Sequence, residues 1–377
     1  MSNRSLLILS FITLVIIIAA SVSSQKRAPQ TVVETALLFP DLKNQINTVA
    51  QLGIESADGT VTISKQSDTW QIVESGNYPA RFDKIKQTVL ALAEMKILSA
   101  KTSNPSLFSE LGVEDTTAEN SASRLLTLKD TSGNALAAVI IGTSSGSGTY
   151  VRKQGANETW LASGTLDIAN AVTGWIEQNL LNIADDRIFD TRIEHPDGSV
   201  LSVNRAKGDK DFTVLDVPTG KEAKSGYFVN QIGTILSKLM IENVKVREGF
   251  TFPDTATKTT VRTYDGLVAT IMTANVDGAN HISLDFSVDE ALIATAATPV
   301  TPEQPAEKEA IVIGEPEKPA ATPAVDVRKE VDDLNSSISN WVYTIPSAKY
   351  GLLVKLPTDV TQDKATEQTS TDKSATN

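Results

Sequence analysis

Gly142-Thr143-Ser144-Ser145-Gly146-Ser147-Gly148 has the glycine content of a loop that wraps a phosphate with backbone N–H groups. Such a loop needs Lys and then Ser or Thr after its last glycine, with a helix to follow. Thr149-Tyr150-Val151 follow instead, which is strand-forming sequence, so the stretch reads as a flexible hairpin loop. His195 and His281 are the two histidines. A general base or metal ligand needs partners at defined geometry, and a histidine beside Pro196 in a turn offers none, so ordinary surface histidines are expected. DTSGN from Asp130 and NVDGAN from Asn275 share letters with calcium loops but lack the alternating acidic ligands and the terminal Glu, and read as hairpin turns. Asp185-Asp186 ahead of Arg187 reads either as a charged linker or as a salt-bridged hinge. Trp70, Trp160, Trp175 and Trp341 sit in apolar patterns and are expected in cores. The absence of cysteine excludes a thiol nucleophile, a disulfide and an iron-sulfur cluster. No catalytic, cofactor-binding or metal-ligating set is therefore nominated. Paired carboxylates brought together by folding remain open as a source of acid and base chemistry.

The elements that would position these residues come from a repeat. IESADGTV from Ile54 and IEHPDGSV from Ile193 share the pattern I-E-x-x-D-G-[S/T]-V, at an offset of 139 residues between Asp58 and Asp197. Asp-Gly tolerates the positive φ of a tight turn, and alternation in Val61, Ile63, Trp70 and Ile72 predicts strands with one buried face. Phe82, Ile85, Val89 and Leu92 then fall at helical spacing. Further hairpins are expected around Asp130–Asn134 and Gly155, and Leu166, Ile168, Val172, Trp175 and Ile176 predict a closing helix. The second copy repeats this order, with a helix carrying Phe228, Ile232, Ile235 and Leu239, the hairpin TTVRTYDGLVATIMT, the strand HISLDFSVDE and a helix carrying Val327, Val331, Leu334 and Ile338.

The expected fold class is α+β: two tandem related domains of antiparallel hairpins packed with amphipathic helices, after an N-terminal transmembrane helix. The boundaries read 1–27 for a signal anchor, 28–47 for a connector, 48–182 and 183–360 for the repeats, and 361–377 for a polar, disordered tail. The segment 298–323, rich in Pro, Glu and Ala, reads as an insert in the second repeat; it cannot bury enough apolar surface to offset ordering and is expected to project as an acidic arm. Ile311 to Ile313 could add a short strand there. At the N-terminus the apolar run Leu6 to Val22 is at the short end of what spans a bilayer. A retained anchor and a cleaved signal peptide both fit, the latter through Ser21 and Ser23. Either way the bulk of the chain is expected in the periplasm of a bacterium, with residues 6–22 in the inner membrane as a single pass if the anchor is retained. An apolar fraction of 41% against 21% charged is that of a globular chain, and a net charge of −12 argues against nucleic acid as a partner.

Trp70-Gln71-Ile72 before the helix at Phe82, Val139-Ile140-Ile141-Gly142 with Thr149-Tyr150-Val151, and Trp341-Val342-Tyr343 with Ile345-Pro346 occur in an order that resembles the bacterial family called domain of unknown function 4340. Arg81 stands where that family usually has an acidic residue, and the insert is a further departure. The resemblance implies an envelope protein of unknown activity, associated in several lineages with gliding-type ABC transport systems, and brings no catalytic residues. The expected function is a membrane-anchored, non-enzymatic binding or accessory component of an ABC-type transport or envelope-assembly complex, with ABC transporter subunits or another envelope protein as partners and no cofactor. An exported hydrolase using paired carboxylates and a passive spacer are the alternatives.

Overall fold

Side chains that alternate between apolar and polar build the strands, and tight turns join them. In Val49–Ser56 (β1) Leu52 and Ile54 are buried; the chain reverses at Ala57-Asp58, and Ile63 and Val61 of Gly59–Gln66 (β2) return opposite them. The computed structural model describes residues 36–146, 148–224, 226–296 and 326–364. The expected span at 6–22, the insert 298–323 with its suggested strand at Ile311 to Ile313, and the tail beyond 364 lie outside the described residues. Among the described residues no helix is long and apolar enough to cross a membrane.

The described chain divides into two compact units. One holds the chain up to Ser64 with Phe82–Asn170, and the other holds Lys65–Arg81 with the chain from Ala171. These units do not follow the repeat boundaries 48–182 and 183–360. Within the second unit, the hairpin of Thr69–Ile72 (β3) and Tyr78–Pro79 (β4) sets Tyr78 edge-on to Trp341 with ring centroids 5.1 Å apart, and the Arg81 N–H donates to the Trp175 carbonyl at 2.7 Å. These contacts join 65–81 to 171–182 and to Trp341 within the second unit.

In the first unit, β1 and β2 are followed by the helix Phe82–Ala93 and by Ile97–Ala100 (β5), Arg124–Asp130 (β6), Ala135–Ser145 (β7), Gly148–Lys153 (β8) and Thr159–Ser163 (β9). The strands run β2-β1-β6-β7-β8-β9-β5, every pair antiparallel. Leu126 and Val139 face one side, Leu125 and Ile140 the other, and Phe108 and Val113 from the connection between β5 and β6 pack on the latter pair. Both faces of this sheet are thus covered. Buried Arg152 secures the β5–β6 connection: its Nε donates to the Val113 carbonyl at 2.7 Å and its guanidinium lies over the Phe108 ring.

The second unit contributes Asn179–Leu181 (β10), Ile188–Glu194 (β11), Val200–Asn204 (β12), Thr213–Val214 (β13), Lys221–Ala223 (β14), Leu239–Met240 (β15), Asn243–Val246 (β16), Thr257–Thr263 (β17), Leu267–Val276 (β18), Ala279–Val288 (β19), Trp341–Thr344 (β20) and Thr361–Asp363 (β21). The main sheet runs β13-β12-β11-β17-β18-β19-β20-β16, with β10–β15 and β14–β21 as separate ribbons. Leaving aside β13, its order is that of the first unit strand for strand. The ladders also break at the same place: β1 slips between Val49 and Gln51 against β6, and β11 slips between Ile188 and Asp190 against β17.

The architecture is α+β, and several expected details change. Thr361–Asp363, assigned to the disordered tail, is ordered as β21 through pairing with β14. The closing helix is a single 3-10 turn at Val172–Gly174; Leu166 and Ile168 are buried on either side of exposed Asp167, a two-residue period that an extended chain satisfies. Phe82 and Phe228, placed on apolar helix faces, are 60% and 51% exposed, because Ile85, Val89 and Leu92 in one helix and Val229 and Ile232 in the other already fill the buried face. Trp70 and Trp175 are core residues as expected, whereas Trp160 and Trp341 are half-buried.

Candidate functional site

The irregularity in β11 lies at a cleft. A bulge inserts a residue that the partner strand does not match and re-aims its side chain. Here the unmatched residue is Phe189, whose ring lies 5.1 Å from that of Tyr264 at an interplanar angle of 31°. Tyr264 belongs to the β17–β18 turn, which closes at Gly266 with φ of +97°, a conformation that favours glycine. Its N–H donates to the Arg187 carbonyl at 2.8 Å and its hydroxyl donates to the Arg205 carbonyl at 2.5 Å. Burial, opposed by Arg205, pushes the Tyr264 phenol above its ordinary value. Arg187, Arg205 and Tyr264, with Phe189 behind the Tyr264 ring, wall a cleft of about 380 Å³ that Asp186, Lys207, Asp209 and Asp265 complete.

Two arginines are held differently there. Arg187 donates through Nε to Asp265 at 2.8 Å and through its two terminal nitrogens to both oxygens of Glu330 at 2.9 and 2.7 Å. Glu330, reinforced by Asp265, holds this guanidinium well above its ordinary value against the opposing effect of burial. Arg205 donates to the carbonyls of Asp185 and Ile188 and lies 4.5 Å over the Phe212 ring, with no carboxylate bonded to it among the described residues. Phe212 is fixed in turn by Gly233, where an added Cβ would sit 2.4 Å from the ring. The exposed side chains of Asp186, Lys207 and Asp209 make no hydrogen bond or ion pair among the described residues.

Equivalent positions of the first repeat lack this chemistry. The offset of the matched bulges sets Arg187 against Thr48, Phe189 against Ala50 and Arg205 against Gln66. The turn glycines Gly133 and Gly266 set Tyr264 against Thr131 and Asp265 against Ser132. The shared strand order is therefore built without these charges, which are specific to the second unit.

The residues weighed on sequence grounds lie elsewhere. Gly142 to Gly148 spans the end of β7 and the start of β8, which pair as far as Ser145 and Gly148 with no helix after them. His195 Nε2 lies 2.9 Å from the Lys355 carbonyl, so that nitrogen carries the proton. His281 is buried rather than on the surface, with Nε2 3.2 Å from Lys245 Nζ and Nδ1 3.3 Å from Thr344 Oγ1. Burial first, and then Lys245, lower its pKa. In the turn at Asp130 the carboxylate accepts from the Ser132 and Asn134 N–H groups and from the Asn134 side chain, which pulls its pKa down. At Asn275 the amide donates to Asn280 across the β18–β19 hairpin. Among the described residues no group of three or more His, Asp or Glu side chains could hold a metal ion. Asp185-Asp186 form the 3-10 turn that leads into Arg187, yet Arg187 pairs with carboxylates 78 and 143 residues away. Only the Asp-Asp-Arg charge cluster hinted at the site.

The model of a family described as domain of unknown function (DUF4340) matches residues 70–262, just over half of the 377-residue chain. The chain belongs to this family. No curated protein matches it, and no solved structure does. The DUF4340 match is shorter than the resemblance, which ran on to Pro346. It takes in Arg187 and Arg205 and ends before Tyr264, Asp265 and Glu330.

Proposed function

We propose that the chain is a membrane-anchored, non-enzymatic binding component of an ABC-type transport or envelope-assembly complex. In this reading two related repeats, arisen by duplication, stand in the periplasm and residues 6–22 span the inner membrane once. The shared strand order and the matched bulges support the duplication. The apolar run Leu6 to Val22 supports the anchor, and the transport setting draws its support from what the family resemblance implies.

One observation favours binding over hydrolysis by paired carboxylates. A general acid and base pair needs a carboxyl group free to exchange a proton with substrate. Asp265 and Glu330 instead meet across Arg187, which engages both oxygens of Glu330 and one of Asp265, while Thr263 donates to the other at 2.5 Å. Asp186 and Asp209, the other carboxylates of the lining, are solvent-exposed rather than held in the buried setting that tunes an acid–base pair. The hydrogen-bonding capacity of Asp265 and Glu330 goes into the wall of the cleft rather than into its interior.

Affinity capture of the full-length protein, solubilised from its native membrane, with mass spectrometry of what co-purifies, tests this reading. Recovery of permease and ATPase subunits, lost when residues 36–364 are deleted, is the expected result. Recovery of nothing above background removes the transport assignment.

A further inference from the structure

We infer that the cleft of the second repeat binds an uncharged, hydroxyl-rich ligand of the size of a disaccharide. This rests on reading the cleft as a binding site and adds the class of what it binds. The lining balances: Arg187, Arg205 and Lys207 oppose Asp186, Asp209 and Asp265. With Arg187 already paired to Asp265 and Glu330, Arg205 and Lys207 are set against Asp186 and Asp209, so the local field singles out neither an anion nor a cation. Interleaved donors and acceptors suit groups that both donate and accept, which is the property of an alcohol. Lys207, Asp186 and Asp209 are the groups with hydrogen-bonding capacity to offer, since Arg187 is held by Asp265 and Glu330. Tyr264 adds a ring to the same wall, braced by Phe189, and the C–H face of a pyranose packs on an aromatic ring. A volume of about 380 Å³ lies at the small end of ligand clefts and accommodates one or two such rings. The first repeat carries Thr48, Gln66, Thr131 and Ser132 at the corresponding places, so folding alone does not call for this combination.

Fluorine NMR of the full-length chain labelled with 3-fluorotyrosine tests the inference. The chain has 6 tyrosines, and Tyr264→Phe identifies the resonance of interest. Maltose, cellobiose and diacetylchitobiose are titrated to about 0.1 M, where even a Kd of roughly 10 mM approaches saturation. At least one is expected to shift the Tyr264 resonance saturably, and the double variant Lys207→Ala/Asp209→Ala, whose side chains hold no part of the fold together, is expected to raise the midpoint about tenfold or more. Absence of a saturable shift with all three sugars, or an unchanged midpoint in the double variant, overturns the inference. A shift with inorganic phosphate or digalacturonate but with no neutral sugar also overturns it, while leaving the cleft a binding site; failure of every probe together with an empty affinity capture removes the underlying reading as well.

Discussion

At the scale of single residues, half-buried ion pairs in the second unit carry consequences that composition cannot show. Replacing Arg187 by Met leaves Asp265 and Glu330 half-buried without their counter-charge, and the loss is expected to be about 3 kcal/mol. A fall in the urea midpoint at unchanged slope measures it. His281 makes a pH-dependent contribution of known sign. Burial and Lys245 depress its pKa in the folded protein, so below about pH 6.5, the ordinary imidazole value, the unfolded chain takes up the proton more readily than the folded one. The stability that depends on this group is complete above that pH and is lost as the pH falls toward the depressed value. Unfolding at about pH 7.5 and about pH 5.5 is therefore expected to show a smaller difference in His281→Gln than in the parent; an equal difference would remove the imidazole from the account.

At the scale of elements, the two sheets differ more in what lines them than in how they are wound. Thr259 and Thr273 are fully buried and their hydroxyls find no partner among the described residues, whereas the matching positions in β6 and β7 are Leu126 and Ile141. An apolar group of the same shape removes the desolvation cost, so Thr259→Val and Thr273→Val are each expected to stabilise by up to about 1 kcal/mol, read from chemical denaturation. The helix Val327–Ile338 depends on its first turn. Asp326 accepts from the Arg328 and Lys329 N–H groups as the N-cap, and Asp326→Ala is expected to cost about 1 kcal/mol. Because Glu330 lies in that helix, its fraying also loosens Arg187, so a double-mutant cycle between Asp326→Ala and Arg187→Met should depart from additivity.

At the scale of the whole molecule, the elements on either side of residues 297–325 are joined to one another. Glu290 pairs with Arg328, and Asn335 bonds both the N–H and the carbonyl of Phe286 at 2.9 and 2.8 Å. Loop-closure entropy changes slowly with length. Deleting residues 298–323 is accordingly expected to leave Tm within about 3 °C of the parent by calorimetry; a loss of the folding transition would show that the segment is part of the core. The shared strand order allows the charges of one sheet to be judged against their absence in the other, and that distinguishes the cleft from ordinary exposed charge.

Local patterns in the amino-acid sequence were enough to determine the α+β class, the hairpins at Asp58-Gly59 and Asp197-Gly198, and most of the buried face of the helices Phe82–Ala93 and Val327–Ile338, because turn chemistry and side-chain periodicity act over a few residues. Family membership was legible for the same reason, as an ordered series of such patterns. Tertiary structure alone decided that residues 65–81 pack with the second unit, that Phe82 and Phe228 lie outside the core, and that Thr361–Asp363 forms a strand. It alone decided the candidate site, since Arg187 meets Asp265 and Glu330 across 78 and 143 residues. Coulombic and hydrogen-bond energies depend on separation in space, and no spacing along the chain encodes them.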